Sequence, residues 1–179
     1  MAEQCPTLVH FKEGEQCLEN FAGLSPKIYA GLKSDLSAPM TATDGTYTTP
    51  TFAATKGLYE IDCKENSVNL KGSSLGKRKG FKQTLTFTID VVNQIAAKLG
   101  RGLNNLDIFF IIPDGDVYQI VYDPNRKVTF DTDGIASDTG SAPEDDRTTV
   151  YTATLSPVKY MNQYVTIDNI STLLEGAKD

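Results

Sequence analysis

The sequence predicts a mainly β fold: a β-sandwich or open barrel with one flanking α-helix and long extended loops. Three features between residues 80 and 124 carry this prediction. They are a strand with alternating apolar positions, a helical segment and an apolar hairpin, which follow one another without a long loop. The chain, 1–179, has the length of a single domain and can bury one core.

The strand and the helix of this central unit are read from the spacing of their apolar residues. Residues 81–89 alternate between mostly apolar side chains and Lys or Thr, which is the period of a half-buried strand. Asp90 then offers an N-cap oxygen, so the helix is expected to begin there, and Gly100 and Gly102 supply places for it to stop. Spacing of three and four residues predicts its buried face: Val92, Ile95, Ala96, Leu99 and Leu103.

The hairpin that follows is apolar on both faces. Residues 106–112 form a nearly unbroken apolar run, Asp114-Gly115 predicts a two-residue turn, and residues 117–122 return. With that turn Ile112 faces Val117, and the opposite face carries Phe109, Ile111, Tyr118, Ile120 and Tyr122. A ribbon that is apolar on both faces must be covered twice, so the second cover is predicted to be either the Asp90 helix or another chain.

The N-terminal third of the sequence has little regular pattern. We interpret residues 1 to about 57 as an irregular N-terminal segment that contains a short strand at 28–32. Residues 34–55 are rich in Thr, Ala, Ser, Pro and Gly with little to bury, and such long loops are usually functional or ordered by a partner. Alternation at 59–63 and 68–70 predicts a pair of strands.

Downstream of the hairpin the sequence predicts further strands. In order, the expected elements are a short strand at 127–130, a long acidic loop at 131–146, a Thr-rich strand at 147–155 ended by Ser156-Pro157, a strand or edge at 158–167, and a helical turn at 171–174 before a short C-terminal tail. The expected total is roughly seven to nine strands and one main helix.

Charge is distributed unevenly along the chain. The sequence has 17 basic and 23 acidic residues, and its net charge of −6 disfavours a general nucleic-acid-binding surface. Residues 71–82 hold five basic residues and no acid, whereas residues 107–146 hold ten acids and two basic residues. Opposite patches on one small domain can meet head to tail and build rings or filaments. The alternative is that both patches are ordinary solvated loops.

The sequence contains no targeting or membrane signal that we recognise. The first residues have neither a basic start nor an apolar core region, and the longest apolar run is only 108–112, so we expect no signal peptide and no membrane span. Cys5, Cys17 and Cys63 are far apart and fit reduced thiols, although one disulfide with one free thiol stays open.

Residues that would support catalysis are scarce. His10 is the only histidine and has no nucleophile motif positioned to use it, so a structural role is expected. The run 131–134 resembles the start of a calcium loop, but the acids that follow do not keep the required spacing. Asp114 and Asp116 flank a hairpin tip that is expected to be open to solvent, so they are not expected to act as catalysts. We therefore expect a protein without enzymatic activity, metal or cofactor.

Three stretches resemble a known group of virion proteins. They are Cys17–Leu24, Asn104–Ile111, and Asp138–Asp146 with the Thr-rich strand that follows it. In these the sequence is similar to bacteriophage tail tube proteins from phages and prophages of Bacteroides-like hosts. The resemblance implies a β-sandwich with a flanking helix whose subunits form rings, usually hexameric, that stack into a tube for genome passage. It also implies an acidic lumen wall, which the net charge of −6 fits.

The leading hypothesis is therefore a non-enzymatic virion structural protein that self-assembles. Its expected partners are other copies of itself, other virion proteins and, in passing and without specific binding, phage DNA. It would be made in the host bacterial cytoplasm, reside in the virion tail and not contact a membrane. A connector ring, head decoration or fibre protein is the nearest alternative, and a monomeric β-sandwich module that binds a ligand or carbohydrate is an alternative of another class.

Self-assembly requires an interface between subunits. We expect the basic segment of one subunit to approach an acidic loop of the next, while the hairpin contributes apolar contact area. The residues predicted to lie in this interface are Lys77, Arg78, Lys79, Lys82, Phe109, Asp114, Asp116, Tyr118, Glu144, Asp145 and Asp146.

Overall fold

The computed structural model describes residues 23–78 and 80–176, except for the side chain of Arg78. The described strands are β1 (Lys27–Leu32), β2 (Ala42–Thr43), β3 (Thr46–Tyr47), β4 (Tyr59–Asp62), β5 (Asn69–Ser74), β6 (Phe81–Ile89), β7 (Ile108–Asp114), β8 (Val117–Val121), β9 (Thr129–Asp138), β10 (Thr148–Val158) and β11 (Tyr164–Val165). The one α-helix in this part of the chain is α1 (Gln94–Asn105).

The strands form two sheets that pack as a sandwich. One sheet has seven strands in the order β2-β3-β11-β8-β7-β1-β4, and the other has four in the order β5-β6-β10-β9. Alternate residues of β6 and β10 point into the sandwich, where the Phe87 ring stacks on Tyr151 at 4.8 Å and meets Phe110 of the opposite sheet at 5.8 Å. The mainly β fold with a flanking helix, as predicted from the sequence, is confirmed.

A second core lies on the outer face of the seven-stranded sheet. Phe109, fully buried, and its neighbours on β7 and β8 pack there against side chains from the segments before β4 and after β10. The covering residues include Met40, Tyr47, Phe52 and Val165. Both expectations for this cover, the helix and another chain, are wrong, because extended segments of the same chain bury the outer face.

Residues 34–55 are therefore an internal cover, although the sequence suggested that they had little to bury. Tyr47 donates a hydrogen bond to the Tyr122 carbonyl, and the Tyr122 hydroxyl in turn accepts one from the Met40 amide. The Ala53 amide donates to the Asp35 carbonyl at 2.9 Å. The irregular N-terminal segment also contains β1, which lies inside the sheet between β7 and β4. That strand, predicted at 28–32, is confirmed.

The hairpin of β7 and β8 is apolar on both faces, as predicted, but its strands pair in a different register. Asp114 pairs with Val117 and Ile112 with Gln119, so the turn residues are Gly115 and Asp116. Gly115 has a φ of 60°, as the first central residue of a type II′ turn requires. The predicted turn at Asp114-Gly115 is thus displaced by one residue, which leaves each side chain on its expected face.

Helix α1 begins three residues later than predicted. Asn93, not Asp90, is the N-cap, and its side chain accepts a hydrogen bond from the Ala96 amide at 2.8 Å. The β-branched Val91 and Val92 are poor helix formers, which favours the later start. Its buried residues are Ala96, Gly100 and Leu103, whereas Ile95 was predicted to be buried and is 75% exposed. The helix also continues through both glycines to Asn105.

Several predicted connections differ as well. Residues 59–63 and 68–70 were expected to pair, but β4 pairs with β1 in one sheet and β5 with β6 in the other. Half of the predicted acidic loop belongs to β9, which has an irregular register beside Asp133. The Thr-rich strand continues through Ser156-Pro157 to Val158.

No helix within residues 23–78 and 80–176 is long and apolar enough to cross a membrane.

Candidate functional site

The predicted basic patch is the hairpin between β5 and β6. Its tip is a short 3-10 turn, Gly76–Arg78, closed by a hydrogen bond from the Leu75 amide to the Gly80 carbonyl at 2.8 Å. Lys77 is exposed on this turn, Lys82 is half-buried on β6, and Lys79 lies outside the described residues. Within the described part of the chain, Lys77 and Lys82 form no ion pair with an acid.

The acidic loop between β9 and β10 is stabilised partly by hydrogen bonds and an ion pair that its own carboxylates form. Asp145 accepts hydrogen bonds from the amides of Ser141 and Ala142 at 2.7 and 2.8 Å, and these bonds lower the pKa of its carboxyl. Asp146 pairs with Lys64 at 2.6 Å, whereas Glu144 is exposed and has no ion pair among the described residues. Asp145 and Asp146 thus organise the loop itself, and Glu144 is the predicted acid that is most available to another molecule.

The two charged loops lie at opposite ends of the four-stranded sheet. Phe81, which follows the basic hairpin, pairs with Val158 at one end of β10, and Ile89 pairs with Thr149 at the other. The acidic loop joins β10 at that second end. Eight residue steps along β6 separate the ends by about 26 Å. The fold therefore keeps the opposite charges apart within one molecule, as a head-to-tail contact between molecules requires.

The end that holds the basic hairpin also carries lysines from other segments of the chain. Lys159 directly follows β10 and Lys127 precedes β9, so both lie at the end that holds the basic hairpin. Asp138 ends β9 at the acidic end, where its Oδ1 accepts a hydrogen bond from the Gly140 amide at 2.9 Å. The sequence separates these lysines from the basic segment by more than forty residues, and only the strand order brings them together.

The tip of the β7–β8 hairpin is the other predicted acidic site. Asp114 is half-buried and accepts a hydrogen bond from Gln119 Nε2 at 2.6 Å, while Asp116 is exposed. Tyr118 lies beside them and is half-buried. Phe109 does not belong with these residues, because it is fully buried against Phe52 and Tyr122 in the outer core. Its predicted place in an interface is therefore wrong.

Two apolar surface features were not predicted from the sequence. The first is a stripe on the outer side of α1 and its C-cap, formed by Ile95, Leu99 and Leu106. Ile95 is 75% and Leu106 51% exposed, whereas Leu99 is partly buried and also packs against the inner core. The second is a groove of about 350 Å³ lined by Val117, Tyr118, Tyr164 and Ile167 among others. Periodicity could have revealed the stripe, since these residues recur at intervals of four and seven. Ile95 and Leu99 were instead predicted to share the buried face, and of the two only Leu99 packs against the inner core.

Groups that could carry out chemistry are not assembled into a centre in the described residues. In the two described ranges, no three residues among His, Cys, Asp and Glu are placed to hold a metal ion. Burial raises the pKa of the Cys63 thiol to about 12, so it stays protonated and unreactive at neutral pH. The expectations for His10, Cys5 and Cys17 lie outside the described residues.

Comparison with known proteins identifies no relative. No family model matches the sequence, and neither the curated proteins nor the solved structures contain a significant match.

Proposed function

We propose that this protein is a non-enzymatic virion structural protein whose subunits assemble into stacked rings, as a bacteriophage tail tube, in the tail of the virion. The observation that carries the proposal is the separation of the basic hairpin and the acidic loop to opposite ends of one sheet. Copies stacked end to end bring Lys77 and its neighbours against Glu144 of the next copy. A contact between two different surfaces repeats from copy to copy, which makes rings or filaments.

The charged ends direct assembly more than they strengthen it. Exposed ion pairs contribute only about 0.2–1 kcal/mol each, and salt screens them. Complementary charge mainly raises the rate of productive encounter and fixes the orientation of the partners. Apolar contact must therefore supply most of the affinity. Phage DNA that passes through such a tube would contact it without specific binding, in keeping with the net charge of −6.

Reversing the charge of the basic hairpin tests this proposal. Replacing Lys77, Arg78 and Lys79 together with Glu is expected to slow assembly about tenfold and to produce misaligned particles, because the ends then repel. High salt should reproduce only part of the effect, since screening leaves apolar burial intact. The assembly rate is measured by light scattering and the products by negative-stain electron microscopy.

The matched control keeps the charge and changes the side chains. The variant with Lys77→Arg, Arg78→Lys and Lys79→Arg should assemble at the wild-type rate. Circular dichroism should show that both triple variants are folded, since Lys77 is exposed and Arg78 belongs to the same short turn. Normal particles formed by the Glu variant at the wild-type rate would show that the basic hairpin is merely solvated, and would remove the main support for the proposal.

A further inference from the structure

The outer stripe of α1 is an apolar surface that residues 23–78 and 80–176 leave exposed at Ile95 and Leu106. Ile95, Leu99 and Leu106 recur every four and seven residues, so they share one side of the helix, roughly 100° around the axis from the buried Ala96, Gly100 and Leu103. Exposure of 75% is unusual for an isoleucine, and neighbouring exposed apolar residues mark an interaction surface more often than a single one does.

The groove beside β11 is the second uncovered apolar surface. It is lined by the side chains of Val117, Tyr118, Tyr164 and Ile167, and Val117 is 49% exposed. Asp116 also lines it, and Asp168 follows it directly in sequence. Tyrosines that combine an apolar ring with a polar hydroxyl are enriched at protein interfaces.

The two surfaces carry opposite charge. Helix α1 contains Lys98 and Arg101 and no acid, and neither residue pairs with an acid within residues 23–78 and 80–176. Lys98 lies about 60° from Ile95 on the helix surface, which places it at the rim of any contact made there. The groove carries Asp116 and has no basic residue in its lining.

The surfaces also lie on opposite sides of the molecule. A Cβ built on Gly100 of α1 would lie 3.6–3.9 Å from side-chain atoms of Ile135 and Tyr151, so the helix lies along the β9 side of the four-stranded sheet. The segment that leads into β11 crosses the other edge, where Met161 meets Gly72 of β5. One copy therefore cannot seat its own stripe in its own groove, whereas a second copy can.

We infer that the helix stripe of one subunit seats in the Tyr118–Tyr164 groove of the next, with Ile95 as the central apolar residue and Lys98 facing Asp116. The inference rests on the proposed function, to which it adds the lateral contact within a ring. The contact joins two different surfaces, so each subunit donates a helix on one side and receives one on the other.

Two single variants break the contact from either side. Ile95→Glu places a charge in the stripe, yet it should keep or slightly raise the stability of the monomer, because position 95 lies in the first helical turn where acids are favourable. Val117→Lys places a charge in the groove opposite Asp114, its strand partner. Each variant is expected to weaken assembly at least tenfold, as measured by sedimentation velocity. Gln94→Glu adds the same charge in the same turn, off the stripe, and should assemble as wild type.

Mixing the two variants identifies the contact as one between different surfaces. The Ile95→Glu protein retains an intact groove and the Val117→Lys protein an intact helix, so an equimolar mixture should form a heterodimer of twice the 19.5 kDa chain mass and no rings. If both variants are blocked and the mixture stays monomeric, the stripe and the groove do not meet and the inference is wrong.

The remaining outcomes separate the inference from the proposed function. A wild-type protein that stays monomeric at all concentrations overturns both. A wild-type protein that assembles while Ile95→Glu assembles equally well overturns only the lateral contact. The lateral contact alone is also overturned if Ile95→Glu lowers the melting temperature without changing assembly, because Ile95 would then pack within its own subunit.

Discussion

Replacing Phe109 with alanine is expected to lower the free energy of unfolding by about 3–5 kcal/mol. The ring is fully buried between Phe52 and Tyr122, at centroid distances of 6.4 and 5.7 Å. It also fills the space over Gly31, where any Cβ would lie 2.3 Å from its Cζ. Removing it leaves a cavity that the two covering segments cannot close without losing their own packing. Urea denaturation followed by circular dichroism measures the change.

The control for this prediction lies on the same hairpin. Val117→Ala removes apolar atoms from a side chain that is 49% exposed, so its effect is expected to stay below about 1 kcal/mol. A similarly small loss for Phe109→Ala would mean that the ring is exposed, as the sequence alone suggested. Segments of the same chain would then not cover the outer face of the seven-stranded sheet.

Replacing Gly57 with alanine is expected to destabilise the protein by about 1–3 kcal/mol and to release the C-terminal cover. A Cβ at this position would lie 2.5 Å from both the Glu175 amide nitrogen and the Leu173 carbonyl oxygen. These are backbone atoms held by two hydrogen bonds to Leu58, so they cannot move aside cheaply. Hydrogen exchange should show faster exchange at the Glu175 amide than in the wild-type protein.

Gly102 provides the matched control because the same substitution there meets open space. The nearest atom to its Cβ position is Leu106 Cδ1 at 4.0 Å, and the residue lies inside α1. Alanine should stabilise a helix interior by about 0.5–1 kcal/mol relative to glycine. Unchanged exchange at Glu175 in the Gly57→Ala protein would contradict the packing of the C-terminal segment on Leu58.

The sequence predicts those elements whose apolar residues have a regular period. The alternation in β6 and in the Thr-rich β10 gives both strands their buried faces, and the two-sided hairpin keeps its faces despite the displaced turn. The outer cover has no such period. Met40, Tyr47 and Phe52 are spaced by seven and five residues within Thr- and Pro-rich sequence, so only tertiary contact shows what they bury.

Charged positions are predicted better than apolar contacts at the candidate site. The basic hairpin lies where the sequence suggests, and the second half of the predicted acidic loop is a loop, since charged residues at tight turns stay in solvent. Phe109 was misplaced because a two-sided ribbon does not specify what covers its second face. The stripe at Ile95 was missed because the apolar arc of α1 is wide enough to include two faces, one buried and one exposed.

We propose that the chain assembles with itself into rings that stack. Negative-stain electron microscopy of the purified full-length protein over a range of concentrations, with sedimentation velocity on the same samples, tests it most directly. Rings of uniform diameter that lengthen into tubes as the protein concentration rises are expected. A single 19.5 kDa species at every concentration and ionic strength would contradict it.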